Sequence, residues 1–174
     1  MIANKLQQGQ YIVKHISGSE ILNQPIFNKA MALKKEDIEH ESHLFNGRYE
    51  NIYIKEHAIR ELQSILDHIK QEIASLLEIP EQQIKLGFWL NIMQPGEQTT
   101  LHCHDDFDEV ISGVYYINVP ENSGNLVLKT DRHTEIKPAE GMMVLFSPAL
   151  EHYVTENKSS QVRLSIGFNA TTQT

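Results

Sequence analysis

His102 and His104 stand two apart in the run Leu101-His102-Cys103-His104-Asp105-Asp106, with a pair of carboxylates directly behind them. On an extended strand that spacing sends both imidazoles to one face. Two neutral imidazoles side by side, with acids close by, are the ingredients of a first-row metal site. A third ligand must come from elsewhere in the chain, and His152, in Ser147-Pro148-Ala149-Leu150-Glu151-His152, is the candidate. Nine histidines in 174 residues make some chance pairs inevitable, and a lone His-x-His is more often a polar strand edge. The order of the neighbouring features favours a site. After His-x-His come an apolar strand, a Gly turn, another strand, a Pro-Gly turn, a strand and His152, and then Arg163-Leu164-Ser165.

Arg163 and Ser165 repeat the two-residue spacing, so on a strand their side chains share a face, which can be an inner one. An arginine inside a barrel needs an anion. Its planar fork suits a carboxylate, and a hydroxyl beside it adds one more donor. The competing role for Arg163 is a structural salt bridge with one of the 23 acids. Of the neighbours Tyr115 and Tyr116 only one can point inward, because strand residues alternate. Asp105, Asp106, Asp108 and Glu109 form an acidic loop that either tunes a nearby cation or is simply solvated. Cys103, between the two histidines, points to the opposite face and reads as a small buried filler.

The elements that must position these groups are mostly strands. Ile84–Met93 alternates and is closed by Gln94-Pro95-Gly96-Glu97. Strand-like runs follow at 99–104, 111–119, 125–130, 134–137, 142–147, 152–155 and 161–169, separated by turn-forming stretches. Seven or eight short strands at this spacing predict a barrel or sandwich. Upstream, Ile59, Leu62, Leu66, Ile69, Ile73, Leu76 and Leu77 form one apolar stripe, predicting a helix over 56–78 that Pro80 stops. That helix is expected on the outside of a sheet. Residues 10–16 read as a strand, and 24–28, around Pro25, as an extended segment. The charged stretch 34–41 reads as a solvated turn, with His40 and His43 exposed in that polar region. Residues 1–174 are expected to be one domain: 1–83 as N-terminal strands and helix packed on the barrel, and 84–170 as its core.

Composition narrows the classes. A 40% hydrophobic and 22% charged chain is ordinary for a globular protein. A net charge of −8 gives nucleic acid no long-range attraction. One cysteine excludes an internal disulfide framework and fits a reducing compartment. The absence of a signal-like apolar start and of a bilayer-length apolar window makes a cytoplasmic location, away from membranes, the expectation.

The segments Trp89-Leu-Asn-Ile, His102-x-His104, Ser112-Gly113-Val114-Tyr115-Tyr116, Pro138…Gly141, Leu145-Phe146-Ser147-Pro148, His152 and Arg163-x-Ser165…Phe168-Asn169 resemble the 2-oxoglutarate/Fe(II)-dependent oxygenases over about residues 86–170. The resemblance implies a mainly β fold, a double-stranded β-helix or jelly roll, here braced by the N-terminal amphipathic helix. It implies Fe(II) held by His102 and His152, and 2-oxoglutarate held by Arg163 and Ser165, with Asn91 and Tyr115 as further candidate contacts. O2 and an unidentified small molecule or side chain would be the other reactants, in a hydroxylase-type dioxygenase reaction. The chain departs from the family at one point: His104 stands where the motif carries Asp or Glu. His104 is then the third ligand, or Asp105 or Asp106 reaches in from the loop, or the site binds metal without turnover. The rival readings are a cupin-like metal-binding protein, for which Glu109 would be an added ligand, and a β-barrel interaction module with structural histidines. A homodimer is the expected form of any self-association.

Overall fold

A computed structural model describes residues 6, 7, 9–104 and 108–173. In chain order these form β1 (Tyr11–His15), α1 (Glu20–Met31), β2 (Ile38–Phe45), β3 (Arg48–Ile54), α2 (Leu62–Leu77), β4 (Ile84–Met93), β5 (Ile111–Asn118), β6 (Leu126–Leu128), β7 (Thr134–Ile136), β8 (Met142–Phe146), β9 (His152–Val154) and β10 (Arg163–Thr172). Seven strands make one antiparallel sheet in the order β1-β8-β5-β10-β4-β3-β2, and three make a second, β7-β6-β9. The two sheets form the jelly roll that the strand spacing and the resemblance predict.

The central strands read as nearly continuous apolar runs because both of their faces are covered. On β10, Leu164, Ile166, Phe168 and Ala170 join Tyr115 and Ile117 of β5 in the core beneath the helices. The alternate residues face the second sheet, where Tyr116, Val144 and Phe146 pack with Leu126, Leu128 and Leu150. Helix α2 buries Leu62, Ile65, Ile69, Ile73 and Leu77 against the large sheet. Each such side chain contributes roughly 1.5–3 kcal/mol of burial free energy, far more than propensity gives the helix. Glu78 ends it in a left-handed conformation (φ 55°), and the Ile79 N–H folds back onto the Ala74 carbonyl at 3.1 Å ahead of Pro80.

Several expected boundaries move. The long helix begins at Leu62, and Ile59 is buried from the turns before it. Residues 24–28 are not extended but lie inside α1, with Pro25 in its interior. The 34–41 stretch is a single 3-10 turn (Lys35–Asp37) running into β2, which carries both His40 and His43. Residues 99–104 are not a regular strand: they lie beside β9 of the second sheet, with one isolated bridge, His102 to His152, and a tie from Thr99 to Val154. The N-terminal third is hydrogen-bonded into the large sheet, β1 pairing with β8 along Tyr11–His15 and β3 meeting β4 at Ile52 and Leu90.

Candidate active site

The three histidines converge although the first two lie on no regular strand. His102 N–H donates to the His152 carbonyl at 3.1 Å, and His152 N–H returns the bond at 2.9 Å. The His104 N–H is held by the Pro148 carbonyl at 2.8 Å. This lacing brings one ring nitrogen from each of His102, His104 and His152 within 4.8 Å of one another. Ring centroids lie 4.4 Å apart for His102 and His152, 4.9 Å for His102 and His104, and 5.1 Å for His104 and His152.

Backbone carbonyls select the tautomer at two of the rings. His102 Nδ1 donates to the Thr100 carbonyl at 2.8 Å, and His152 Nδ1 to the Leu150 carbonyl at 2.9 Å. Each Nε2 is thereby left as an unprotonated donor, which is how a metal-binding imidazole is ordinarily fixed. Burial is the main reason that His104 and His152 are pushed down to about 3, and the neighbouring histidines add to it. Three neutral imidazoles converging in a partly desolvated cavity fit a divalent cation. Phe146, 4.7 Å from His152, and Trp89, 5.4 Å from His104, wall the cluster.

A second polar group lies along the same face of β10. Arg163 is completely buried, yet it makes no ion pair among the described residues. Its Nη1 donates to the carbonyls of Ser123 (3.2 Å) and Gly124 (2.9 Å), while Nε and Nη2 have no partner. Its guanidinium sits 5.3 Å from the Tyr116 ring centre, and the Tyr116 hydroxyl is likewise buried and unpartnered. Burial pushes that hydroxyl up to about 12, against the pull of the adjacent guanidinium. A buried cation with two free donors and a free neutral hydroxyl beside it makes a receptor for a carboxylate; unpaired, it would cost several kcal/mol. Gly124 permits this packing: at φ +97° a Cβ there would lie 2.2 Å from the Thr155 carbonyl and 3.2 Å from Nη1 of Arg163.

Strand register joins the two groups. Ser165 pairs with Asn91 on one side and Tyr116 on the other. Asn91 and Ser165 line the same cavity as His102, His104 and His152, and Asn91 Oδ1 is buried without a partner. Asn91 and Ser165 thus reach the histidine cavity, and Arg163 lies two residues from Ser165 on the same strand. Tyr115 points away from it. It faces the helices, where its hydroxyl donates to Asn23 of α1 at 2.7 Å, and its neighbour Tyr116 takes the site side. Asp105 and Asp106 lie outside the described residues. Glu109 is not in the three-histidine group; it lines a separate groove with Asp108, Tyr53 and Trp89.

Sequence reasoning missed Glu50 and Asn51, which line the cavity from β3, and Trp89, which it noted only as part of a motif. It read His43 only as an exposed residue. That residue is exposed, but its ring lies 6.2 Å from His102 and its Nδ1 accepts from the Asn51 amide at 3.1 Å. Its left-handed backbone (φ 58°), unusual on a strand, is the mark of a special position.

Residues 88–171 match the family model described as the 2OG-Fe(II) oxygenase superfamily. Those residues form a 2OG-Fe(II) oxygenase domain. The superfamily implies Fe(II) and 2-oxoglutarate, and His102, His104 and His152 are a group that could hold the metal. The fold is shared with a prolyl-4-hydroxylase of Pseudomonas putida, at 16% identity and a TM-score of 0.67 over 97% of this chain and 95% of that one. It is shared also with a Trichoplax adhaerens prolyl hydroxylase solved with a hypoxia inducible factor peptide (15%, TM-score 0.69, 94% and 84% covered). A third is the viral collagen prolyl hydroxylase of Paramecium Bursaria Chlorella virus-1 (15%, TM-score 0.65, 94% and 96%). No curated protein matches the sequence.

Proposed function

We propose that this oxygenase domain is a hydroxylase-type dioxygenase in which His102, His104 and His152 hold iron and Arg163, with Ser165, Asn91 and Tyr116, holds 2-oxoglutarate. The observation that carries this reading is Arg163: a fully buried guanidinium with two unpartnered nitrogens, on the strand face that also lines the histidine cavity. A structural arginine would have an acid; this one suits a dicarboxylate brought from solution.

When bound, iron and 2-oxoglutarate supply the activation of O2, with oxidative decarboxylation to succinate coupled to oxygen insertion into a C–H bond. The chain's own residues do the rest. The Thr100 and Leu150 carbonyls hold two imidazoles in the ligating tautomer. Arg163 neutralises the distal carboxylate, and the Tyr116 hydroxyl, kept protonated, donates to it. Val114, Leu126 and Phe146 give the cavity apolar walls that keep water from competing for those bonds. His104 in place of a carboxylate leaves the ligand set neutral, so the dianionic cosubstrate meets one more unit of positive charge than at a site with two histidines and one carboxylate.

Anaerobic addition of Fe(II) and then 2-oxoglutarate tests the reading. The weak visible charge-transfer band of a chelated keto acid is expected, and its loss in Arg163→Ala with iron still bound. Iron binding without a band would favour a cupin-like metal protein, and no iron binding would make the histidines structural. A cytoplasmic setting remains the proposal for this chain with its one cysteine. A homodimer is proposed at the outer edge of β1, which has no further strand beside it among the described residues and exposes Tyr11 and Val13.

A further inference from the structure

The ligand set has no carboxylate, but its cavity does. Glu50 on β3 is only 3% exposed and lines the same cavity as His102, His104 and His152. It is the one acid among the described lining residues. Both of its oxygens accept from one residue: Thr100 N–H donates to Oε1 at 2.7 Å and Thr100 Oγ1–H to Oε2 at 2.7 Å. An acid whose two oxygens both accept is behaving as a carboxylate. The carbonyl of that same Thr100 receives the His102 Nδ1 proton at 2.8 Å.

Three facts then need one account. A buried carboxylate is costly unless a cation offsets it, and no lysine or arginine pairs with Glu50 among the described residues. Its hydrogen bonds go to the residue whose carbonyl orients a metal-ligating histidine. The backbone carrying His102 and His104 has no ladder of its own, only the bridge to His152 and the clamps beside it. On the other side of that strap Thr99 is tied to β9, its N–H on the Val154 carbonyl (3.1 Å) and its Oγ1 accepting from Val154 N–H (2.7 Å). Residues 99–100 are therefore held between β3 and β9, with Glu50 as the β3 anchor.

We infer that Glu50 is a positioning residue for the metal centre. Its charge, held at second remove through Thr100, supplies the negative partner that the three-histidine set lacks and fixes the His102 ring for ligation. This rests on the metal reading proposed above and adds a residue to it. Partners that orient a ligand in this way commonly change metal affinity by about 10–100-fold when replaced.

Co(II) titration of the full chain, read by its visible ligand-field spectrum, tests the assignment. Glu50→Gln keeps an acceptor for the Thr100 N–H and a polar partner for its hydroxyl, and removes only the charge. An affinity about tenfold weaker than wild type, with an altered spectrum and an unchanged urea midpoint of the metal-free protein, is expected. Wild-type affinity and spectrum in Glu50→Gln would overturn the inference. Thr100→Val, which deletes only the hydroxyl bond, gives a second handle should the first variant fold poorly. Its affinity should also fall, and wild-type binding there would equally overturn the proposal. A wild-type chain that binds no Co(II) overturns the metal reading itself, so the two failures are distinguishable.

Discussion

At the scale of single residues the site separates ligands from anchors, and substitutions should separate them too. Removing the His152 side chain deletes one of three converging donors while leaving its backbone bridge to His102, so His152→Ala should weaken metal binding by more than about 100-fold, beyond the range seen for outer partners. Isothermal titration with Co(II) or Fe(II) measures it, and stoichiometric tight binding would take His152 out of the site. At His104 a carboxylate would recreate the two-histidine, one-acid set. His104→Asp should keep metal while His104→Ala loses it, and it should weaken 2-oxoglutarate binding because the metal centre gains a negative charge. The sequence makes these side chains legible because metal chemistry restricts residue type and strand geometry restricts spacing. Tyr115 shows where that legibility stops. Neighbouring tyrosines differ by one step of a two-residue period, and the pairing of Ser165 with Tyr116 puts that tyrosine, not Tyr115, on the Arg163 face. Glu50 was beyond reach for another reason: it acts through Thr100, fifty residues away in sequence.

At the scale of elements, β4 and β10 do most of the positioning, and the seating of Trp89 of β4 over β10 depends on Gly167. A Cβ there would fall 2.4 Å from Cε2 of Trp89, so the indole lies flat across β10 only because that position is glycine. The same indole stands 5.4 Å from His104. Gly167→Ala must push the ring toward the cavity or bend the strand. A stability loss of roughly 1–3 kcal/mol is expected from the overpacking, together with weaker metal binding. Urea unfolding and Co(II) titration on the same variant check both, and an unchanged Co(II) affinity would show that Trp89 does not buttress His104. The strands after residue 84 were readable because they are apolar and separated by turns. Helix α1 was not: it buries only Asn23, Ile26 and Ala30 and carries Pro25 within, so its apolar signal is sparse and its proline reads as a break. The edge strand β2, Ile-Glu-His-Glu-Ser-His-Leu-Phe, is largely exposed and charged, which protects a sheet edge but looks like a loop.

At the scale of the whole molecule, the buried histidines link folding, protons and metal. His104 and His152 titrate near 3 in the folded chain and near 6.5 when unfolded. Between those values the unfolded state binds more protons than the folded one, so unfolding free energy rises with pH and the metal-free protein weakens as pH falls below about 6.5. A divalent cation should oppose that loss, because it binds the neutral rings of the folded state and stabilises in proportion to the logarithm of its concentration over its dissociation constant. Urea midpoints between pH 7 and pH 5, where carboxylates with ordinary pKa values near 4 are still mostly ionised, read both effects. The metal-free midpoint should drop across this window, saturating Co(II) should raise it throughout, and His152→Ala should reduce the slope to the share that His104 contributes and abolish the Co(II) increment. A slope left undiminished in His152→Ala would locate the pH sensitivity elsewhere, and a Co(II) increment that survives there would mean that the cation stabilises this fold at a site other than the three histidines.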